Sequence, residues 1–370
     1  MDGTVSIFLG KSMPTIRDVA EKAGVGLGTV SRVLNDSPLV SESTRQRVLQ
    51  AISDLNYMPS LTARRLSLGK TMTVAVIVPF FTRPSVTERM RGIENTLVAC
   101  DYELTIYNVE TVNRRDECMQ HVIRRERADG VIVISLSPRD EDLTLLDNPE
   151  IPVVLVDANH ASLSGLNRVI VDDIDGGYSA TRHLLELGHE RIGYISDYLD
   201  TPFNFTSSRD RFQGYRQALQ EAEIPFCTEY QAQGPHGRQA AYENAARMLA
   251  LHDPPSAIFA ASDTQAMGVL QAARDAGLRV PEELSVIGYD DLEIAEYLGL
   301  TTIRQLLYLS GQRGAELLIE AIQEPPREPQ CEVLPTELVV RDTTAVLPGS
   351  QHLDQSTYNP NNQVASNIPG

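Results

Sequence analysis

The sequence contains the residue types of metal sites and catalytic centres, but not at the spacings that such sites need. Three carboxylates lie in the segment DDIDGGY, at Asp172, Asp173 and Asp175. Calcium prefers such oxygen ligands, yet the segment lacks the ligand spacing and the terminal Glu of an EF-hand loop. None of the seven His belongs to an HExxH motif, and no GxSxG motif occurs. The sequence therefore predicts no metal, no cofactor and no enzymatic activity.

Composition indicates a chain of several domains with an uneven charge. The 370 residues carry a formal net charge of −18, but residues 11–70 hold nine Lys and Arg against five Asp and Glu. A basic head on an acidic body suits local contact with DNA rather than coating of it. No CxxC pair occurs, so reduced thiols are expected. Because no long apolar run or signal peptide occurs, we expect a cytoplasmic protein with no membrane partner.

Two short helices are predicted within residues 15–35, TIRDVAEKAGVGLGTVSRVLN. In the first, Ile16, Val19, Ala20 and Ala23 repeat at i, i+3, i+4 and i+7, as in an amphipathic helix. Glycines in the segment AGVG supply a tight turn. Two short helices joined in this way form a helix-turn-helix, whose second helix enters the DNA major groove. Its outward residues would be Leu27, Gly28, Thr29, Ser31 and Arg32.

This segment has two other interpretations. A dinucleotide-binding GxGxxG loop needs a third glycine where Thr29 stands, and it needs a preceding strand, which is absent from the pattern. Two packed helices of a larger α domain would show the same periodicity. The segments TIRDVAEKAGV, TVSRVLN and VSESTRQRVLQAISDLNYMPSLTARRL, however, resemble the DNA-binding headpiece of the lactose/galactose repressor family. The resemblance continues with the expected spacing to about Asp342.

After the headpiece, apolar runs alternate with helical stretches. The runs span residues 73–78, 104–109, 131–136, 153–156, 169–171, 192–196, 257–261 and 286–289. Such alternation predicts parallel sheets covered by helices, as one or two Rossmann-like domains. The family resemblance implies an α/β protein with an all-α headpiece and a two-lobed, periplasmic-binding-protein-like effector domain. On that analogy the chain crosses between the lobes near Asp172, Thr302 and Pro335, and Gly176–Gly177 marks a close approach between lobes.

Domain boundaries follow from these patterns. We expect a flexible extension (1–13), a helix-turn-helix domain (14–59), a hinge helix or linker (60–70), an effector domain (71–347) and a disordered tail (348–370). Within the effector domain, lobe one would take residues 72–172 and 304–335, and lobe two residues 173–303 and 336–347. In the headpiece, Ser41 or Ser43 would cap a third helix that ends at Pro59. The tail has no leucine heptad, so nothing indicates a tetramer.

DNA contacts are expected from both the headpiece and the hinge. They would come from Thr15, Ile16, Leu27, Gly28, Thr29, Ser31, Arg32, Asn35, Ala63, Leu66 and Ser67. Arg32 can hold a guanine at O6 and N7. The resemblance places Leu66 at the family's minor-groove leucine, although it could instead pack the hinge onto the effector domain. A homodimer on a pseudo-palindromic operator is expected, because two-fold protein symmetry must be matched in the DNA.

Effector contacts are implied by matches to the family's motifs. The predicted set is Phe80, Phe81, Asp157, Asp172, Phe205, Arg211, His236, Asp263 and Asp290. Arg211 in RDRFQGY and Asp290 in VIGYDD match the family's effector-contacting arginine and aspartate, although they could simply brace the cleft. Asp172 and Asp263 could bind ligand or cap the helices that follow them.

Departures from the family's pattern favour a carbohydrate effector. Phe205 stands where purine-binding members have a second arginine, and His236 takes a position that is often aromatic. Aromatic faces, one arginine and several acceptors suit a sugar better than an anion. The protein is thus expected to be an effector-responsive repressor. The alternatives are a periplasmic-type sugar receptor, which needs a signal peptide and no headpiece, and a sugar- or nucleotide-modifying α/β enzyme, which needs a nucleophile–base pair or a phosphate loop.

Overall fold

The computed structural model describes most of the chain as two compact units, Met1–Thr71 and Met72–Gly370. The described residues are 14–34, 37–58, 70–122, 127–146, 149–158, 162, 165–324 and 328–349. The extension 1–13, the hinge segment 59–69 and residues 350–370 lie outside them, so our expectations for those segments stay predictions. No helix among the described residues is long and apolar enough to cross a bilayer.

The first unit contains three helices around a small apolar core. They are α1 (Ile16–Ala23), α2 (Leu27–Leu34) and α3 (Glu42–Leu55). The core is formed by Val19, Ala20, Ala23, Val30, Val33, Val48, Ala51 and Tyr57. Gly24 ends α1 at φ 64°, a left-handed conformation that glycine adopts without strain. Our prediction that α3 ends at Pro59 was wrong, because Asn56, at φ 48°, already ends the helix after Leu55.

The second unit contains two six-stranded sheets with helices on both faces. The first sheet has the order β11-β5-β4-β3-β1-β2 and is parallel throughout. Its strands are β1 (Thr73–Pro79), β2 (Glu103–Val109), β3 (Gly130–Ile134), β4 (Val153–Val156), β5 (Asn167–Val171) and β11 (Cys331–Leu334). The second sheet has the order β12-β10-β9-β8-β6-β7. Its strands are β6 (Ile192–Asp197), β7 (Gln231–Gly234), β8 (Ala257–Ala260), β9 (Ser285–Asp290), β10 (Thr301–Gln305) and β12 (Thr336–Val339).

Helices follow most of these strands. They are α4 (Pro84–Ala99), α5 (Val112–Val122), α6 (Asp140–Leu146), α7 (Asp173–Glu186), α8 (Ser207–Glu221), α9 (Arg238–Leu249), α10 (Asp263–Asp275), α11 (Glu293–Tyr297) and α12 (Leu307–Gln323). The expected two-lobed parallel α/β fold is confirmed. One strand departs from it, since β12 pairs antiparallel with β10.

Four strands were missed in the sequence: β7, β10, β11 and β12. They are short, and segments such as QAQG and TTIRQ lack the continuous apolar run that marks a buried parallel strand. The missed β10 also moves the second crossing between lobes. Arg304 and Gln305 belong to the second sheet, so lobe one resumes after Gln305 rather than at residue 304, and the crossing lies just beyond Thr302.

Close helix packing positions the residues at the cleft. Gly177 of α7 lies against the backbone of Arg211 in α8, so that a Cβ there would overlap the Arg211 carbonyl oxygen. Gly311 of α12 lies in the same way against the backbone of Arg89 in α4. Our expectation of a lobe-to-lobe approach at Gly176–Gly177 was therefore wrong. Gly176 contacts Tyr289 and Gly177 contacts α8, both within the second lobe.

Candidate functional site

The second headpiece helix presents one open face. Leu27 is 45% exposed, and Gly28 and Arg32 are exposed beside it. Val30 and Val33 hold the opposite face of the helix in the core. An arginine and a leucine on one open helical face can reach base edges in a major groove, by hydrogen bonds to guanine and by contact with a thymine methyl.

The other residues predicted to contact DNA differ in their solvent exposure. Thr29 and Ser31 are half-buried. Thr15 is exposed at the start of α1, and its N–H donates to the Asp18 carboxylate at 2.6 Å. Ile16 is half-buried against the helical core, so only part of its side chain is open. Asn35, Ala63, Leu66 and Ser67 lie outside the described residues.

A polar cleft in the second unit is formed where the strands of both sheets end. Parallel strands commonly place binding residues at their carboxyl ends. Asp157 follows β4 of the first sheet, whereas Asp197 and Asp290 end β6 and β9 of the second. The charged lining residues are Arg83, Arg89, Arg211, Asp157, Asp197 and Asp290. The polar ones are Ser85, Ser135, Ser207, Ser208, Ser262, Gln265, Gln305 and His236.

Arg211 is buried, and two of its nitrogens donate to protein groups. Its Nε donates to Asp173 at 2.8 Å, and its Nη1 donates to the Ala261 carbonyl oxygen at 2.6 Å. The guanidinium carbon lies 3.6 Å from the centroid of the Tyr289 ring, a cation–π contact. Nη1 is also 3.8 Å from a carboxylate oxygen of Asp290. These contacts fix the plane of the guanidinium at the floor of the cleft.

Asp290 is held beside Arg211 in an unusual backbone conformation. It is 5% exposed and has φ 116°, a region that residues with a side chain rarely adopt. Burial raises its pKa to about 6, although the neighbouring Arg211 acts in the opposite direction. Gln305 donates a hydrogen bond to the same carboxylate. Asp290 is therefore a positioned hydrogen-bond acceptor beside Arg211.

Arg89 of the first lobe makes polar contacts with both lobes. Its Nη2 lies 3.0 Å from Asp157 and donates to Gln305 Oε1 at 2.9 Å. Its Nε has no hydrogen-bond partner among the described residues, although the side chain is only 2% exposed. Asp157 also accepts a hydrogen bond from the Ser135 hydroxyl at 2.6 Å. One arginine that lines the cleft thus has a buried donor without a hydrogen-bond partner among the described residues.

A second group of polar residues surrounds Asp197 of the second lobe. His236 Nδ1 lies 3.1 Å from its carboxylate, and Gln265 donates to the same carboxylate at 2.9 Å. Arg83 of the first lobe lies 4.0 Å away. Burial lowers the pKa of Arg83, and the Asp197 charge partly offsets this effect. The Arg83–Asp197 pair therefore connects the two lobes across the cleft.

Aromatic side chains close one side of the cleft. Phe205 lines it and stacks on Phe203, with ring centroids 5.3 Å apart and planes within 8°. Phe80 of the first lobe meets Phe203 edge-on at 5.7 Å. The guanidinium carbon of Arg83 lies 4.3 Å from the Phe80 centroid. The arrangement offers an apolar face beside the polar floor of the cleft.

Similarity to known proteins covers both units. Residues 15–60 match the family of bacterial regulatory proteins, lacI family, and residues 181–344 match a periplasmic binding protein-like domain. The HTH-type transcriptional repressor PurR of Vibrio vulnificus (strain CMCP6) is 34% identical over 334 residues, which are 90% of this chain and 98% of that protein. The chain belongs to the lacI family. It is a DNA-binding transcriptional repressor with a ligand-binding domain, and it is not an enzyme.

Two solved structures of transcriptional regulators show the same architecture. The lac repressor dimer bound to operator and the anti-inducer ONPF is 27% identical with a TM-score of 0.80, covering 90% of this chain and 100% of that one. The complex of the transcriptional regulator CelR with cellobiose is 31% identical with a TM-score of 0.67, covering 89% and 99%. The likeness therefore extends over the headpiece and the two-lobed unit.

Four predicted effector residues of this lacI-family chain do not line the cleft: Phe80, which lies beside it, and Phe81, Asp172 and Asp263. Phe81 is 43% exposed, and its N–H donates to Asn108 instead. Asp172 caps α7 by accepting the Asp175 N–H at 2.9 Å. Asp263 is fully buried and accepts hydrogen bonds from the Thr302 hydroxyl and the Leu292 N–H. For Asp172 and Asp263, the structure thus shows internal contacts instead of contacts with the cleft.

The cleft residues missed in the sequence include three charged ones, Arg83, Arg89 and Asp197, and Gln305. Arg83 follows β1 and Asp197 ends β6, so the rule that ligand contacts lie at the carboxyl ends of strands could have found them. Arg89 lies within an amphipathic helix, where an arginine usually faces solvent. Gln305 ends a strand that was itself missed. Asp157, Phe205, Arg211, His236 and Asp290 line the cleft, and Phe80 lies beside it.

Proposed function

We propose that this repressor binds a neutral carbohydrate between its two lobes and that the bound sugar controls its affinity for operator DNA. The observation that carries the proposal is the charge balance of the cleft. Three arginines line it, and each lies within 4.0 Å of a carboxylate: Arg83 of Asp197, Arg89 of Asp157, and Arg211 of Asp173 and Asp290. An anionic ligand would have to compete with these carboxylates, whereas a neutral ligand would not.

The paired charges suit hydroxyl groups in particular. A sugar hydroxyl can donate to a carboxylate and accept from a guanidinium at the same time, and hydrogen bonds to charged groups are the stronger ones. Asp290 and Arg211 lie side by side in this way, and Arg89 with Asp157 forms a second such pair. Phe205 supplies an apolar face for the C–H side of a ring. The similarity to a cellobiose-bound regulator also supports a sugar.

A purine base is the second candidate. Relatives of this chain named PurR suggest a purine-related effector. The parallel rings of Phe203 and Phe205 favour it too, because a flat aromatic wall can stack on a base. Against it, Phe205 occupies the position where the family resemblance implies a second arginine in purine-binding members.

On the DNA side, we propose a homodimer that binds a pseudo-palindromic operator. The lac repressor structure, a dimer bound to operator, supports this arrangement. Each headpiece would insert α2 into a major groove with Arg32 and Leu27 outward. Movement of the lobes on effector binding would bring together or separate the two hinge segments, with Leu66 entering the minor groove.

A ligand screen tests the proposed function. The purified full-length protein would be heated with D-glucose, D-ribose, cellobiose, hypoxanthine or guanine, and its unfolding temperature measured. A ligand at a hundredfold over its Kd stabilises the folded state by about 2.7 kcal/mol, which is a readily measured shift. We expect a shift with at least one sugar and a changed operator affinity with that sugar. A shift with hypoxanthine or guanine alone, or with none of the five, would contradict the proposal.

A further inference from the structure

A short segment of the second lobe reaches across to the first lobe. We call residues 201–206 the strap; it lies between the end of β6 and the start of α8. Phe203 and Phe205 of the strap pack against the hydrophobic core of the first lobe, beside residues such as Tyr107 and Leu143 at the edge of that core. The strap is thus anchored at both ends in one lobe and docked on the other.

Asn204 fastens the strap by hydrogen bonds. Its amide nitrogen donates to the backbone carbonyl oxygens of Ser137 at 3.2 Å and Pro138 at 3.1 Å, both in the first lobe. The residue has φ 57°, a left-handed conformation that Asn tolerates better than most residues. Asn204 is half-buried and does not line the cleft. The hydrogen bonds of Asn204 therefore hold the strap in place, and Asn204 itself does not face the ligand.

The docked strap completes a wall built by both lobes. Arg83 of the first lobe lies 4.3 Å from the Phe80 ring centroid and 5.7 Å from that of Phe205. Phe80 meets Phe203 edge-on, and Phe203 stacks on Phe205. Three rings and one guanidinium thus form a continuous layer, of which Phe205 and Arg83 face the cleft.

The wall leaves a small cavity. The space open to the centres of water molecules is about 60 Å³. At roughly 10–15 Å³ of such space for each water, this corresponds to about four to six water positions. That room suits one small ring, with Phe205 of the strap on one side of it.

We propose that the strap determines the size of the effector, so that the site takes a single-ring sugar and excludes a disaccharide. This inference rests on the proposed function. A ligand would enter while the strap is undocked, and docking would then place Phe205 against one face of the ring. A bound disaccharide would keep the strap away from the carbonyl oxygens of Ser137 and Pro138, so the two hydrogen bonds of Asn204 would not form.

Calorimetric titration of the full-length protein with D-glucose, D-ribose, cellobiose and hypoxanthine tests the size limit. The test variant is Asn204→Gly, which removes the two hydrogen bonds but accepts the positive φ. The matched control is Glu223→Gly, because Glu223 is exposed, has φ 58° and does not line the cleft. Wild type and the control should bind a single-ring sugar at least tenfold more tightly than cellobiose. Asn204→Gly should weaken single-ring binding and reduce that ratio at least threefold.

The outcomes separate the two proposals. Wild type that binds cellobiose as tightly as any single-ring sugar would overturn the strap proposal and leave the carbohydrate function standing. An unchanged ratio in Asn204→Gly would overturn it as well. Binding of hypoxanthine without any sugar would overturn the proposed function, and with it the single-ring-sugar specificity.

A second measurement needs no ligand. The chain contains no Trp, so Phe203→Trp introduces its only indole. If the strap is docked, the Phe203→Trp protein should show blue-shifted emission that acrylamide quenches only weakly. The double variant Phe203→Trp with Asn204→Gly should show emission that is red-shifted and more strongly quenched. Equal emission and quenching in the two proteins would show that Asn204 does not dock the strap, whatever the effector is.

Discussion

Arg89 in the first lobe donates a hydrogen bond to Gln305 in the second sheet, with 2.9 Å between Nη2 and Oε1. Gln305 in turn donates to Asp290, and Arg89 lies 3.0 Å from Asp157. A continuous set of buried polar contacts thus runs from Asp157 in one lobe to Asp290 in the other. A ligand that bonds to either aspartate would act on contacts that hold both lobes.

Removing the Arg89 guanidinium should destabilise the protein markedly. In Arg89→Met, the Asp157 carboxyl group would lose its cationic partner at 9% exposure. Breaking a buried ion pair from one side costs about 3–5 kcal/mol. Arg91→Met is the control, because Arg91 lies on the same helix in an exposed pair with Glu88, and such pairs contribute about 0–1 kcal/mol. Urea denaturation would measure both, and equal losses would contradict the assigned role of Arg89.

The reason that Arg89 escaped prediction is physical. Its burial depends on how closely α4 and α12 approach each other, at Gly92 and Gly311, and this spacing is not visible in a local pattern. Gln305 depends on the pairing of β10 with β9, which is equally non-local. By contrast, the headpiece helices and the first strand follow from local periodicity. Arg211 and Asp290 were found because they lie in segments that resemble the family's motifs, and His236 because it takes a position that is often aromatic in the family.

Base recognition should depend on Arg32. We expect Arg32→Ala to lose about 1–3 kcal/mol of discrimination between the operator and a site with the contacted guanine replaced. Arg17→Ala, which removes an exposed arginine of α1, should weaken binding to both sites by a similar factor. Competition binding with the two DNA fragments at fixed salt measures the difference. An Arg32→Ala protein that keeps the wild-type preference would show that another residue reads the base.

Stability should fall in acid because of His183. Burial lowers its pKa from the ordinary 6.5 to about 4, and the side chain is bonded to Thr344 at 3.0 Å. Between pH 6.5 and pH 4 the unfolded state therefore binds a proton that the folded state does not. The stabilisation is complete above pH 6.5 and is lost as the pH falls to about 4, by up to about 3 kcal/mol.

Unfolding temperatures measured from pH 7 to pH 4 test this dependence on His183. The variant His183→Gln should show a flatter profile than wild type, because it keeps a hydrogen-bonding group but cannot take up the proton. His121→Gln, at an exposed position, is the control and should follow wild type. Parallel profiles for wild type and His183→Gln would assign the acid sensitivity to other groups.

Leu66 lies outside the described residues, and its role stays a prediction from the sequence. If it enters the minor groove between base pairs, Leu66→Ala should reduce both the bend of the operator and the affinity for it, because unstacking and bending are coupled. Dimerisation and effector affinity should not change. Bend angle and affinity would be measured on the same operator. Undiminished bending would show that Leu66 packs the hinge onto the effector domain instead.

The central claim is that a ligand in the cleft changes operator affinity, and Asp290→Asn tests it most directly. The substitution keeps the size of the side chain but removes the charged acceptor beside Arg211. Operator binding would be measured by fluorescence anisotropy for wild type and Asp290→Asn, across a titration of the sugar that stabilises wild type. We predict equal operator affinity without sugar, and a sugar response in wild type that is lost in Asp290→Asn. An Asp290→Asn protein that responds at the same sugar concentration as wild type would contradict the account.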